Sequence, residues 1–210
     1  MKIFSILPAI ALLVASPMAY GVIVYDNGGP DQENGNECTE WLQADNFQLA
    51  SPATIGAAEF WTGEDGPWDG TLNWWIFNND AGQPGSILAS GAGAGVTKVA
   101  TGTQLLFGVE YKYDFSLAGV PTLAAGTTYW FGIHLSSDWN RDEIYWETTA
   151  PTSGNGHESD GGTMDNWGNN GLEHAFNLSG VSSVPDACST AMLLGLALTF
   201  LGVARRRGKA

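Results

Sequence analysis

Thr71-Leu72-Asn73-Trp74-Trp75-Ile76-Phe77-Asn78 is the stretch that decides the fold class. Successive strand residues point to opposite faces. Leu72, Trp74 and Ile76 therefore share one face, and Trp75 and Phe77 share the other. The turn formers Asn79-Asp80-Ala81-Gly82 and Pro84-Gly85 close the run. Comparable runs separated by Gly, Asn, Asp and Pro clusters occur at 22–26, 45–49, 54–62, 86–89, 96–101, 110–117, 127–135, 143–148 and 173–178. No amphipathic helical pattern interrupts them. About ten short strands at this spacing predict an all-β fold, an antiparallel β-sandwich or jelly roll, over residues 22–180. The alternation in 110–117 is less clean and predicts a bulge. Gly91-Ala92-Gly93-Ala94-Gly95 lacks a following Lys and helix, so it reads as a flexible loop rather than a phosphate cradle. Phe47-Gln48-Leu49-Ala50 followed by Phe60-Trp61-Thr62-Gly63 is echoed by Phe115-Ser116-Leu117-Ala118 followed by Tyr129-Trp130-Phe131-Gly132. The echo reads either as two similar sandwich edges or as convergent strand–turn–strand chemistry.

Charge divides the 210-residue chain into three parts. Residues 22–183 hold 21 acidic groups against Lys98, Lys112 and Arg141, a balance of −18. Residues 1–21 carry Lys2 alone, and residues 184–210 carry Asp186 against Arg205, Arg206, Arg207 and Lys209. A strongly acidic domain is a poor partner for a phosphate backbone, which is bound by clustered Lys and Arg. Nucleic acid is excluded on that ground.

At the N-terminus, Lys2 precedes an apolar run over 3–15, and Ala19 and Gly21 stand in the −3/−1 spacing of a cleavage site. This predicts a secretory signal peptide over residues 1–21, cut before Val22. The run is short for a membrane span and contains Pro8. At the C-terminus, residues 187–204 form 18 positions without a charge, followed by Arg205-Arg206-Arg207. That is the length of a single membrane helix. The basic cluster marks its cytoplasmic end, placing the domain outside. Residues 181–183 make a short linker.

Val184-Pro185-Asp186, the Ser189-Thr190 pair, the Leu/Gly/Ala helix and Arg205–Arg207 together resemble a PEP-CTERM-type sorting signal. The closer likeness is to the VPDSG variant, with Ala187-Cys188 where that variant has Ser-Gly. The resemblance implies an exosortase substrate of a Gram-negative bacterium. Its membrane helix would be a transient anchor in the inner membrane, cut near residues 184–186, with release to the cell surface or extracellular matrix. The middle segment is also similar to the β-sandwich domains often attached to such tails. That likeness is carried by Asp45-Asn46-Phe47-Gln48-Leu49, by residues 75–80 with 83–88, by residues 123–130 and by Ala175-Phe176-Asn177-Leu178.

Nine tryptophans lie in the acidic middle. Trp68, Trp139 and Trp167 fall in polar loops beside Asp69, Asp138, Asn140, Arg141, Asp165 and Asn166. An exposed indole offers a flat apolar face to a sugar ring, and neighbouring polar groups reach its hydroxyls. The three form either a glycan-contact set or plugs for the ends of the sandwich. Acidic loops at Asp26, Asp31, Glu33 and Glu37, at Glu64, Asp65 and Asp69, and at Glu158, Asp160 and Asp165 read as solvated surface. Ca²⁺ is the cation such oxygen-rich loops would suit, although none has EF-hand spacing. No other cofactor is expected.

His134, His157 and His174 have neither metal-ligand spacing nor a nucleophile motif, and His134 reads as structural. Cys38 and Cys188 lie in different segments; a bridge between them is open, and a free, partly buried Cys38 is the preferred reading. The expectation is an exported, non-catalytic surface or matrix protein with weak glycan binding. The alternatives are a secreted glycan-active hydrolase and a permanently anchored envelope protein.

Overall fold

The computed structural model describes residues 21–150, 154–160 and 162–181. The expected signal peptide, the sorting motif, the membrane helix and the basic tail lie outside the described residues. Among the described residues there are thirteen strands and no helix. Consequently no helix there is long and apolar enough to cross a membrane.

Two antiparallel sheets enclose the core. The first is centred on β4 (Ile55–Glu64), whose one side carries β8 (Gly108–Ser116) and then β7 (Ala94–Leu105). The other side of β4 is shared end to end. β13 (Phe176–Gly180) pairs along residues 55–60, and β10 (Ile144–Glu147) pairs along 62–64. β1 (Ile23–Asp26) flanks β13, and β2 (Gly35–Glu37) flanks β10. The second sheet runs β12 (Trp167–Asn169), β11 (His157–Asp160), β3 (Trp41–Gln48), β9 (Thr128–His134), β5 (Asn73–Asp80), β6 (Gln83–Ala92).

Parity along β5 assigns the faces as its sequence predicts. Leu72, Trp74 and Ile76 enter the main core between the sheets with Phe47, Phe60, Phe115, Phe131 and Trp146. Burying each such side chain contributes roughly 1.5–3 kcal/mol. Phe77 faces the other way and joins Leu42, Ala44 and Trp130 in a second cluster on the outer side of the second sheet. That sheet curls, so its edge strands β6 and β12 approach one another across this outer side. Gly132 admits Phe77 beneath the curl: a Cβ there would stand 3.0 Å from Phe77 Cε2 and 3.4 Å from Gln43 O.

Departures from the sequence reading have local causes. β2, β11 and β12 are three- and four-residue polar strands, too short to show a period. The run 91–95 is not a loop: Ala92 ends β6, Ala94 begins β7, and Gly93 is the single residue between these two strands, which belong to different sheets. Gly93 fits closely at that joint: a Cβ would lie 2.8 Å from Leu72 Cδ2 and 3.0 Å from Phe115 Cδ2, so those core side chains would have to shift to admit one. The irregularity expected in 110–117 falls on its neighbour. β8 pairs with β4 without a shift, whereas β7 slips against β8 at 94/97 and 100/104. The two echoed segments are crossings between the sheets, and they run together through the bridges Leu49↔Ala125 and Ala53↔Leu123.

Candidate functional site

Two of the three tryptophans expected in polar loops pack on the same apolar cluster, and one of them, Trp167, opens strand β12 rather than lying in a loop. Trp139 stacks on His134 at 3.7 Å between ring centroids. Trp167 sets its ring edge against Phe77 at 5.4 Å and donates its Nε1 hydrogen to Met164 O. With Trp75 they form a half-buried rim around the second apolar cluster. Trp68 is elsewhere: it meets Tyr113 edge-on at 5.2 Å, donates to Thr71 O at 2.7 Å and packs against the main core. His134 Nε2 lies 2.6 Å from Thr39 O, and burial lowers the proton affinity of the ring.

A polar pocket of about 340 Å³ opens between β1 and the chain ahead of β13, lined by Tyr25, Asn27, Asn46, Thr149, Asn155 and Glu173. Its size is at the low end for small-molecule sites. Tyr25 donates its hydroxyl hydrogen to Asn27 Oδ1 at 2.7 Å. Asn27 Nδ2 and the Asn155 N–H donate to the two Glu173 oxygens at 3.3 and 3.1 Å. Burial raises the Glu173 carboxyl above the usual range, as does the neighbouring Asp45. Behind the pocket, fully buried Asp45 accepts the His174 main-chain N–H at 2.5 Å, with His174 Nδ1 at 3.3 Å from the same oxygen. The pocket offers amide, phenol and carboxyl groups to a hydroxyl-bearing ligand. Sequence reasoning passed over these residues. One signal was present: Asp45 shares its strand face with the core residues Phe47 and Leu49, so a buried carboxylate was readable there.

The acidic loops are largely committed to the fold. Glu37 accepts main-chain hydrogens of Thr39 and Glu40, both at 2.8 Å, and Asp31 accepts the Thr148 hydroxyl at 2.8 and 2.9 Å. Glu64 is buried and takes Lys98 Nζ at 2.5 Å and the Tyr113 hydroxyl at 2.7 Å. Asp69 accepts the Ser137 and Thr71 N–H groups, both at 2.7 Å. Partial burial works to raise its carboxyl, but these bonds outweigh that and hold it below the ordinary range. Gln43 donates to Glu158 at 3.3 Å.

Glu147, which the sequence reading did not single out, is fully buried with neither carboxylate oxygen hydrogen-bonded. Burial, with Glu110 and Asp31 nearby, pushes it up to about 8. Among the described residues, no group of three or more His, Cys, Asp or Glu is placed to hold a metal ion. The Cys38 thiol is buried and free, donates to Ile144 O at 3.4 Å, and is held protonated by its burial.

Two hydrogen bonds fix where the chain enters and leaves the domain. The Gly180 N–H donates to Val22 O at 3.0 Å, and the Val181 N–H donates to Thr54 O at 2.8 Å. Residues 22 and 181 therefore leave the domain side by side. Residues 183–207 match the VPDSG-CTERM motif. The tail is thus a PEP-CTERM-like C-terminal sorting signal of an exported protein, consistent with processing by an exosortase-type enzyme and with delivery to the cell surface. No curated protein and no solved structure matches the chain. The VPDSG-CTERM motif begins three residues after Gly180, the last residue of β13.

Proposed function

We propose that this chain is a non-catalytic β-sandwich of the cell surface or extracellular matrix, anchored in transit by its VPDSG-CTERM tail and released by cleavage near residues 184–186. The observation that carries the reading is the position of the motif relative to β13. β13 is an interior strand, held between β1 and β4. A cut inside the fold would open the first sheet, whereas a cut at Val184, Pro185 or Asp186 leaves every strand of the described residues in place. The non-catalytic reading is supported by how the carboxylates are used. Asp45 and Glu147 are fully buried, and Glu37, Glu64 and Asp69 bind main-chain groups or core side chains. The surface this reading gives to weak glycan contact is the Trp75, Trp139 and Trp167 rim rather than Trp68.

Intact-mass spectrometry of the extracellular protein tests the delivery route. The expected species begins at Val22 and ends between residues 183 and 186. A species that retains Arg205, Arg206 and Arg207 overturns the release step and leaves a permanently anchored protein. Binding of that same species to a glycan array, compared with a Trp139→Ala and Trp167→Ala variant, tests the rim.

A further inference from the structure

The chain enters and leaves this acidic domain at an end without charge. No Asp, Glu, Lys or Arg occurs in 47–58, 115–137 or 174–185, and these segments meet beside Val22. Ala53 and Leu123 exchange main-chain hydrogen bonds at 3.1 and 2.8 Å, and the Leu117 N–H donates to Gly56 O at 2.9 Å. The hydroxyls of Thr54 and Thr122 stand 2.9 Å apart. A hollow of about 330 Å³ opens between the two chain ends, with Val22, Val24, Pro52, Ala53 and Val181 in its lining. Val22 and Val181 are 81% and 61% exposed, so apolar surface stands uncovered at the exit.

Carboxylates collect at the other end of the same strands. β4 runs from Ile55 at the uncharged end to Glu64, roughly 30 Å away. Beside Glu64, the Asp65 N–H donates to Glu143 O at 3.0 Å. Where the chain leaves β9, Ser137 N–H donates to Asp69, and the Ser136 hydroxyl lies within 3.0 and 3.2 Å of Asp138 and Asp142. The sorting tail decides what the uncharged end faces. The uncharged stretch 187–204 begins six residues after Val181, and six residues of extended chain span at most roughly 20 Å. Lipid headgroups occupy about 6 Å of that. The remaining gap is little more than a Debye length of about 8–10 Å, so anionic headgroups turn the acidic end away and leave the uncharged end toward the surface.

We propose that this end of the domain rests on the phospholipid headgroups while the tail is anchored, with Val22, Pro52 and Val181 against the surface. The contact presupposes the anchored transit proposed for the tail. A tether this short holds the surfaces at a roughly millimolar effective concentration, so a weak contact suffices. Cleavage at residues 184–186 removes the tether, and the contact lapses with it.

Spin labels on the uncut chain test it, in vesicles of phosphatidylethanolamine and phosphatidylglycerol that carry a nickel-chelating lipid. Cys188→Ser leaves buried Cys38 as the sole native thiol. Ala118→Cys or Asn140→Cys then puts one label at the near or the far end. Nickel is expected to relax the label at 118 strongly and the label at 140 hardly at all. Ser51→Glu with Ala125→Glu, both exposed positions, is expected to lower the ratio of contacting to free domains about tenfold. An unchanged ratio shows tethering without contact and overturns the inference. Should that variant fail to fold, about ten Gly/Ser residues inserted after Ser182 lengthen the tether and leave the domain untouched. The label at 118 must then stay more relaxed than the label at 140, and equal relaxation overturns the inference. Flotation reads anchoring separately: an uncut chain that does not float with the vesicles overturns the anchored transit and the contact together.

Discussion

Asp45 grips His174 from two directions: the main-chain N–H at 2.5 Å and ring Nδ1 at 3.3 Å meet the same carboxylate oxygen. The ring lies on Trp146 at 4.5 Å, and its Nε2 is 3.1 Å from Asn36 Oδ1. Three strands and the chain ahead of β13 are thus tied through one imidazole in the core. Asp45→Ala leaves the His174 N–H buried without an acceptor, which costs about 1–3 kcal/mol. Urea unfolding followed by tryptophan fluorescence should show the midpoint fall. An unchanged midpoint would mean that the network is dispensable.

Glu147 makes stability depend on pH. Its folded carboxyl is raised to about 8 from an ordinary 4.5, by burial first and by Glu110 and Asp31 next. Between those values the folded state holds a proton that the unfolded state releases. The contribution is therefore complete below the unfolded value and is lost as pH rises through the folded one, at no more than about 1.4 kcal/mol per pH unit. Glu147→Gln removes that slope. Unfolding free energies of both proteins between about pH 5 and 8 check it, and parallel curves would contradict the assignment.

Gly63 is a seat for the β7–β8 hairpin. A Cβ there would stand 2.3 Å from Phe107 Cε2 and 2.9 Å from Leu105 Cδ1. Phe107 in turn leans edge-on against Tyr145 at 5.8 Å. Gly63→Ala should displace the hairpin tip and cost about 1–3 kcal/mol through overpacking. Limited proteolysis around residues 105–108 should accelerate in step. Unaltered cleavage would show that the tip is held by something else.

Trp139 separates a packing role from a binding role. Its stacking on His134 implies that Trp139→Ala lowers stability, by about 1–3 kcal/mol for a half-buried ring. A surface tryptophan kept for glycan would lose binding with its melting temperature intact. Thermal melts alongside the glycan array distinguish the two results.

Much of the fold was readable because strand periodicity is a local property. Leu72, Trp74 and Ile76 alternate with Trp75 and Phe77, and each set went to the side that alternation assigns. Ten of the thirteen strands carried enough apolar residues to be seen, whereas Gly35–Glu37 and Trp167–Asn169 are recruited by neighbours already in place. The sorting tail was likewise legible, since a motif, an uncharged stretch and a basic cluster lie in sequence order.

Periodic or contiguous features were therefore determined by the sequence alone: the all-β class, the faces of β5 and the VPDSG-CTERM tail. Tertiary structure decided which distant residues meet. It separated Trp68 from Trp139 and Trp167, although all three lie in similar polar stretches of sequence, and it placed Trp167 at the start of β12. It set Asp45 against His174, 129 positions apart, and buried Glu147 near Glu110 and Asp31. It also turned Lys98 inward onto Glu64. Burial and partnership depend on how the sheets curl and close on each other, and no single strand encodes that curvature.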